Sequence, residues 1–344
     1  MLTNFTPASI KRKIRKALFH LEIENGYKKK LKVPLPKYMQ LEPTIRCNYE
    51  CIGCTRLTVL KNRELDISVN QMEKILKLIP SLKKVKLMGL GEPFLHPEFE
   101  KILKLFREKN IRIWSISNGS LLFRERHRHL VHDYYEDITI SLDTTDPKEF
   151  SVIRPGGPGL ERILDTLRVL IQERNKGRSD ISIGIAFAVG HMNYKKIHQT
   201  YDLALDLGVD YLHLTAIENW TIKGQESFEN YANFAENSRK IQKEIDKEVF
   251  KLRMKLLARG ILSGYKNSNL RLNNCHWPFN GLNITVDGIA TPCCIRMDPK
   301  VHNLENLMNL DNFEDLWNGE KYIELRKAHI NKDLNNIMCG SCPN

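Results

Sequence analysis

The chain has 344 residues, 42% of them hydrophobic, and a formal charge of +12 from 53 basic and 41 acidic residues. That length suits about two domains with ordinary cores, while no stretch reaches the roughly 18 consecutive apolar residues of a membrane span, and Met1–Ser9 has no apolar run of the signal-peptide kind. A cytoplasmic protein without a membrane span is expected, and its eight cysteines fall in two clusters of short spacing, the pattern of metal ligation in a reducing compartment rather than of a disulfide framework.

Between Met1 and Tyr38 ten Lys or Arg stand against two Glu, so much of the excess charge belongs to one N-terminal extension, residues 1–38. Ile10, Ile14, Leu18 and Leu21 recur there at helical spacing. They predict a short basic amphipathic helix, either solvated or laid against an acidic partner, an anionic substrate or a membrane surface. From Met39 onward strand-like runs alternate with helical periodicity, which predicts βα units and a parallel sheet. The strands are expected at Met39–Thr44, Val85–Gly89, Ile113–Ser117, Ile138–Leu142, Ile181–Val189 and Tyr211–Ala216. Helices are expected at Ser68–Ile79, Pro97–Glu108, Phe123–His132, Leu160–Glu173 and Tyr194–Leu207. Residues 223–268 read as a helical bridge, with polar helices over Ser227–Arg259 ended by Gly260 and Gly264.

Cys47, Cys51 and Cys54 follow the first predicted strand. Three thiolates within eight residues make an incomplete metal site. Zinc wants a fourth ligand, and the next His or Cys along the chain is His96; a cubane iron–sulfur cluster held through three of its irons leaves the fourth iron open. The C-x3-C-x2-C spacing, with Asn48 after the first cysteine, resembles the radical S-adenosylmethionine (SAM) superfamily. Gly53 departs from it, standing where that family favours a bulky residue. The resemblance implies an α/β fold, a partial (β/α)6 TIM-like barrel over residues 39–222 with its chemistry on the C-terminal strand ends. It further implies a [4Fe–4S] cluster chelated by SAM, reductive cleavage of SAM to a 5′-deoxyadenosyl radical, and a reductant such as flavodoxin or ferredoxin.

The same resemblance supplies cofactor-binding residues. Gly91 and Glu92, in Gly89-Leu90-Gly91-Glu92-Pro93, would meet the SAM amino group. Asn118, after the third strand, and Ser141, at the end of the fourth, would hold ribose or carboxylate, and Arg154 would pair with the carboxylate through its guanidinium fork.

The second cysteine group is Cys275, Cys293, Cys294, Cys339 and Cys342. Residues Leu282–Thr291 alternate around Asp287-Gly288 and predict a β-hairpin that brings Cys275 and Cys293 together. With Cys339 and Cys342 they give four thiolates, a set that closes either a zinc or an iron–sulfur site. Cys275, the Gly288-to-Cys293 spacing, Asn303-Leu304, Leu316-Trp317, Arg326 and the final Cys-x2-Cys resemble SPASM and twitch domains. That implies a small C-terminal domain over residues 269–344 with one auxiliary [4Fe–4S] cluster on Cys275, Cys293, Cys339 and Cys342; the glycine spacing favours Cys293 over Cys294. His191, His213 and Glu218 are weaker polar candidates near the last two strands, and no residue is assigned as a substrate base. The expected activity is a radical SAM oxidoreductase that dehydrogenates a small molecule, anionic or sugar-like. Peptide modification, epimerisation with Cys294 as hydrogen donor, and a zinc-containing nucleic-acid-binding protein are the alternatives; no stable nucleic-acid partner is expected.

Overall fold

The structure, a computed structural model, describes residues 14, 30–52, 54–57, 65–189, 193–216, 239–258, 261–266, 275–335 and 337–339. The basic helix expected near Ile10–Leu21, and Gly53, His191, Glu218 and Cys342, lie outside the described residues, Ile14 excepted. Among the described residues no helix is long and apolar enough to cross a membrane.

Along the chain the strands are β1 (Tyr38–Leu41), β2 (Lys84–Leu87), β3 (Arg112–Ser117), β4 (Tyr135–Ser141), β5 (Ser182–Val189), β6 (Tyr211–Ala216), β7 (Leu262–Lys266), β8 (Gly281–Ile284), β9 (Ile289–Thr291) and β10 (Glu305–Asn306). The longer helices are α1 (Val69–Leu78), α2 (Phe99–Glu108), α3 (Glu125–Tyr134), α4 (Pro147–Ile153), α5 (Leu160–Asn175), α6 (Gln199–Leu207), α7 (Arg239–Ala258) and α8 (Glu320–Asn331). The six strands and five helices predicted between Met39 and Ala216 are present with shifted ends. They divide between two compact units: the described residues of the first are 14 and those within 48–57 and 116–266, those of the second lie within 30–47, 65–115 and 275–339.

In the first unit β4, β5, β6 and β7 run parallel, with Ile138 beside Ile183, Ile185 beside Leu212 and Leu212 beside Ser263. The stripe Leu160, Ile163, Leu164, Leu167, Leu170 and Ile171 is buried along α5, as its periodicity predicts. Helix α4 begins at Asp146, whose carboxylate accepts the Lys148 and Glu149 N–H groups, with Pro147 at the first helical position. Helix α6 stops at Gly208, φ 70°, in the left-handed region glycine tolerates. The stretch expected as a helical bridge holds α7 and, in addition, strand β7.

In the second unit β1, β2 and β3 are parallel, and β8 adds to β1 in parallel with Met39 beside Leu282. The expected hairpin forms: β9 returns antiparallel to β8 through Gly288 at φ 78°, and β10 pairs antiparallel with β9. Met39, Leu41, Val85, Leu87, Ile113, Leu282 and Ile284 share one face and are all buried. Tyr38, Gln40, Glu42, Lys86 and Trp114 alternate with them onto the other face, where the Lys86 ammonium lies 5.2 Å from the Trp114 ring centre and Tyr38 meets Trp114 and Trp277. Near the C-terminus Arg326, fully buried over the Trp317 ring, donates to Pro278 O, Leu31 O and Asn318 Oδ1. Burial pulls its pKa down to about 10.

Candidate functional site

In the first unit the loop through Cys51 and Cys54 is fixed by backbone bonds. Glu50 N–H donates to Pro155 O at 2.8 Å, Ile52 N–H to Ile153 O at 3.1 Å, and Cys54 N–H to Cys51 O at 3.0 Å. Tyr49 anchors it: the ring is buried, its hydroxyl donates to Pro158 O at 2.6 Å, and a Cβ on Gly157 would overlap the ring. Asn48 anchors the other side, giving its amide to Ser120 Oγ at 2.9 Å and accepting from Asn118 Nδ2 at 3.1 Å. Asn118 accepts the Ser120 N–H in turn, so the amide expected at the cofactor is engaged in holding the cysteine loop.

Asp143, partly buried, and the buried Arg154 form an ion pair just beyond β4. Arg154 donates through Nε at 3.0 Å and through Nη2 to Asp143 Oδ2, while Asp143 Oδ1 accepts the Ala188 N–H at 2.9 Å. Burial alone would lower the Arg154 pKa; the charges of Asp143 and then Cys51 more than offset it and raise the pKa above its ordinary value. The guanidinium is therefore a permanent cation within electrostatic reach of Cys51. Asp143 has φ 64°, an uncommon backbone state for a residue with a side chain, found mostly for Asn and Asp. Ser141, half-buried at the last position of β4, stands two residues before it. The local sequence gives no sign that Asp143 pairs with Arg154.

In the second unit Gly91 packs directly on the segment before Cys47: a Cβ there would overlap Thr44 O and lie 2.7 Å from Arg46 O. Glu92, 2% exposed, donates its N–H to Arg46 O at 2.7 Å, and its carboxylate caps the Phe94 N–H at 3.4 Å. Arg46 reaches Asp66 at 2.8 Å, and Asp66 also accepts the Thr44 hydroxyl at 2.6 Å. The Gly89–Pro93 loop and the approach to Cys47 are thus one hydrogen-bonded piece. Glu42, a residue the sequence does not single out, is equally buried and accepts the Leu90 N–H at 2.7 Å.

The same unit carries the later cysteines. Cys293 and Cys339 are buried and Cys275 and Cys294 half-buried. Cys293 Sγ accepts the Arg296 N–H at 3.4 Å. Its pKa is raised well above the ordinary value by burial first and then by the neighbouring charges of Cys294 and Cys275. Such a set of thiols suits a metal centre, whose positive charge favours the thiolates that burial and mutual repulsion oppose. Among the described residues no three His, Cys, Asp or Glu already stand in an ion-binding arrangement; the fourth expected ligand, Cys342, is outside them.

Residues 41–204 match the Radical SAM superfamily, and residues 275–343 match the iron–sulfur cluster-binding domain called SPASM. The tungsten-containing aldehyde ferredoxin oxidoreductase cofactor-modifying protein of Pyrococcus furiosus is 29% identical over 178 residues, 51% of this chain and 49% of that protein. The antilisterial bacteriocin subtilosin biosynthesis protein AlbA of Bacillus subtilis is 23% identical over 314 residues, 90% of this chain and 66% of AlbA. The match thus spans about half of the first relative and two thirds of the second. Among solved structures, Streptococcus suis SuiB bound to its precursor peptide SuiA superposes with a TM-score of 0.66 at 15% identity, covering 94% of this chain and 72% of SuiB. The α/β fold is therefore that of a radical SAM partial barrel followed by an iron–sulfur domain.

Proposed function

Since the chain belongs to the radical SAM superfamily and continues into a SPASM iron–sulfur domain, we propose that it is an enzyme that reductively cleaves SAM, abstracts a substrate hydrogen and oxidises the substrate. Cys47, Cys51 and Cys54 would hold the SAM-binding [4Fe–4S] cluster, and Cys275, Cys293, Cys339 and Cys342 one auxiliary [4Fe–4S] cluster. When bound, these groups supply a 5′-deoxyadenosyl radical and a second redox centre for the electron left on the substrate.

The observation that carries this reading is the Arg154 guanidinium, held by Asp143 at the end of β4 and sensed by Cys51. Two of its nitrogens face Asp143. Arg154 would pair with the SAM carboxylate, and the half-buried Ser141 hydroxyl would donate to the carboxylate or the ribose. Glu92 would receive the SAM ammonium, and Gly91 would let the backbone approach. Asn118, with Asn48, Ser120 and Tyr49, keeps the cysteine loop in place. Burial of Cys293 and the Arg296 N–H on its Sγ support Cys293, rather than Cys294, as the auxiliary ligand.

For the substrate, a small anionic or sugar-like molecule is the first reading. A peptide is the second, favoured because AlbA is named for bacteriocin biosynthesis and SuiB is described with a precursor peptide. Anaerobic reconstitution tests the whole proposal: about eight irons per chain are expected for two [4Fe–4S] clusters, with 5′-deoxyadenosine formed from SAM under flavodoxin or ferredoxin reduction. One or two zinc ions and no iron would end it. Deuterium passing from a labelled small molecule or peptide into 5′-deoxyadenosine decides the substrate class.

A further inference from the structure

Glu42 is the first residue past β1 and is 2% exposed. Its Oε1 accepts the Leu90 N–H at 2.7 Å, and its Oε2 accepts the Val286 N–H at 3.4 Å. Leu90 lies in the middle of the Gly89–Pro93 loop; Val286 opens the β8–β9 turn that leads to Cys293. One carboxylate therefore bridges the loop assigned to SAM and the hairpin assigned to the auxiliary centre, within a single compact unit. The adjoining backbone is shaped around it. Glu42 donates its own N–H to Ile284 O at 3.0 Å, and a Cβ on Gly89 would overlap Glu42 Cγ and Oε1.

A strand end of this kind gains nothing from a charge as such, because burying a carboxylate is costly unless its oxygens are met by donors. N–H bonds to an ionised oxygen are the strong ones, and here both donors are loop backbone, Leu90 in the Gly89–Pro93 loop and Val286 in the β8–β9 turn. We propose that Glu42 is a positioning residue for SAM: it sets the Gly89–Pro93 loop and makes that setting depend on the β8–β9 hairpin. The inference rests on the reading that this loop receives the SAM amino group.

Reconstituted full-length protein tests it through Glu42→Gln, with Gly89→Ala as a second variant that keeps the carboxylate but displaces it. Glu92→Gln serves as the direct control on the loop. Three quantities are read: iron content, SAM affinity by equilibrium dialysis, and hydrogen exchange in peptides covering residues 88–93 and 284–288. Glutamine turns an amide N–H2 toward one of the two backbone donors. Iron content should hold while exchange quickens in both peptides and SAM affinity falls about tenfold. Unchanged exchange in either peptide, or affinity within about twofold of wild type, overturns the inference while Glu92→Gln still loses SAM. Wild-type affinity in Glu92→Gln overturns the reading of the loop, and the inference with it. Should Glu42→Gln fail to fold, Gly89→Ala carries the same expectations and the same refutation.

Discussion

Replacing Asp143 by Asn isolates the charge that holds Arg154. Asparagine keeps the volume, tolerates the backbone at φ 64°, and retains an oxygen for the Ala188 N–H. It removes the anion and turns an amide N–H2 toward the guanidinium. The Arg154 and Asp143 side chains are only 8% and 19% exposed, so solvent screens the pair weakly. Removing one partner of a buried pair costs about 3–5 kcal/mol, and the partial exposure of Asp143 places the expectation near the low end, about 3 kcal/mol. Urea unfolding followed by circular dichroism measures this. Arg154→Met and the double variant complete a cycle whose expected coupling is about 2 kcal/mol. SAM affinity should fall in Asp143→Asn as well, because the guanidinium is released from the orientation that presents its outer edge. A stability loss under about 1 kcal/mol, or an additive cycle, would refute the claim that Asp143 fixes Arg154.

Gly91→Ala should cost about 1–3 kcal/mol and most of the SAM affinity, since its Cβ overlaps the backbone oxygen of Thr44, which cannot rotate away; wild-type binding by dialysis would contradict the packing. Cys293→Ala should bring iron from about eight to about four per chain, whereas Cys294→Ala should leave about eight; the reverse result would exchange the two ligand assignments. Cys294→Ala also decides the epimerase alternative, which requires epimerisation to disappear while SAM cleavage persists. Burial pulls the imidazoles of His132 and His96 below their ordinary pKa, in His132 against the opposing pull of Glu173. A histidine depressed on folding contributes stability that is present above its unfolded pKa, near about 6.5, and lost as pH falls through the folded value. The urea midpoint should therefore drop between about pH 7 and pH 5. His132→Gln should flatten that slope, and an unaltered slope would remove His132 as a cause.

The sequence makes the parallel βα portion legible because its signals are local: a period of two in the strands and an apolar stripe in α5 that is buried as read. Helix α4 is not among the expected helices, although its Asp146-Pro147 cap and Glu149 in the first turn stand just before Arg154. Strand β7 had none, since Leu262-Ser263-Gly264-Tyr265-Lys266 shows no alternation and is a strand by virtue of pairing with β6. The pairing of β8 with β1 joins residues far apart in the chain, and no local pattern encodes that. In the site, the cysteines and the Gly-Glu-Pro loop are recognisable from spacing. Asn118 is visible as a residue, yet its engagement with Asn48 is a tertiary fact.

The two carboxylates that spacing could not interpret share one physical logic. Glu42 and Asp143 each stand just beyond the end of a strand, β1 and β4, and each accepts a backbone N–H near the end of the adjacent strand, Leu90 after β2 and Ala188 in β5. Each also stands behind a group assigned to SAM: Glu42 behind the loop that carries Glu92, Asp143 behind Arg154. A strand end in a parallel sheet leaves N–H groups without ladder partners, and a buried carboxylate satisfies them while fixing the loop that follows. Such a residue has no motif of its own, because its partners come from the next strand rather than from its neighbours in sequence. The groups that would touch SAM can thus be found by reading along the chain, and the groups that aim them only by reading across the sheet. Charge-neutral substitutions at positions 42 and 143 should accordingly weaken SAM binding while leaving iron content intact, and loss of iron in either variant would show that the carboxylate supports the cluster loop instead.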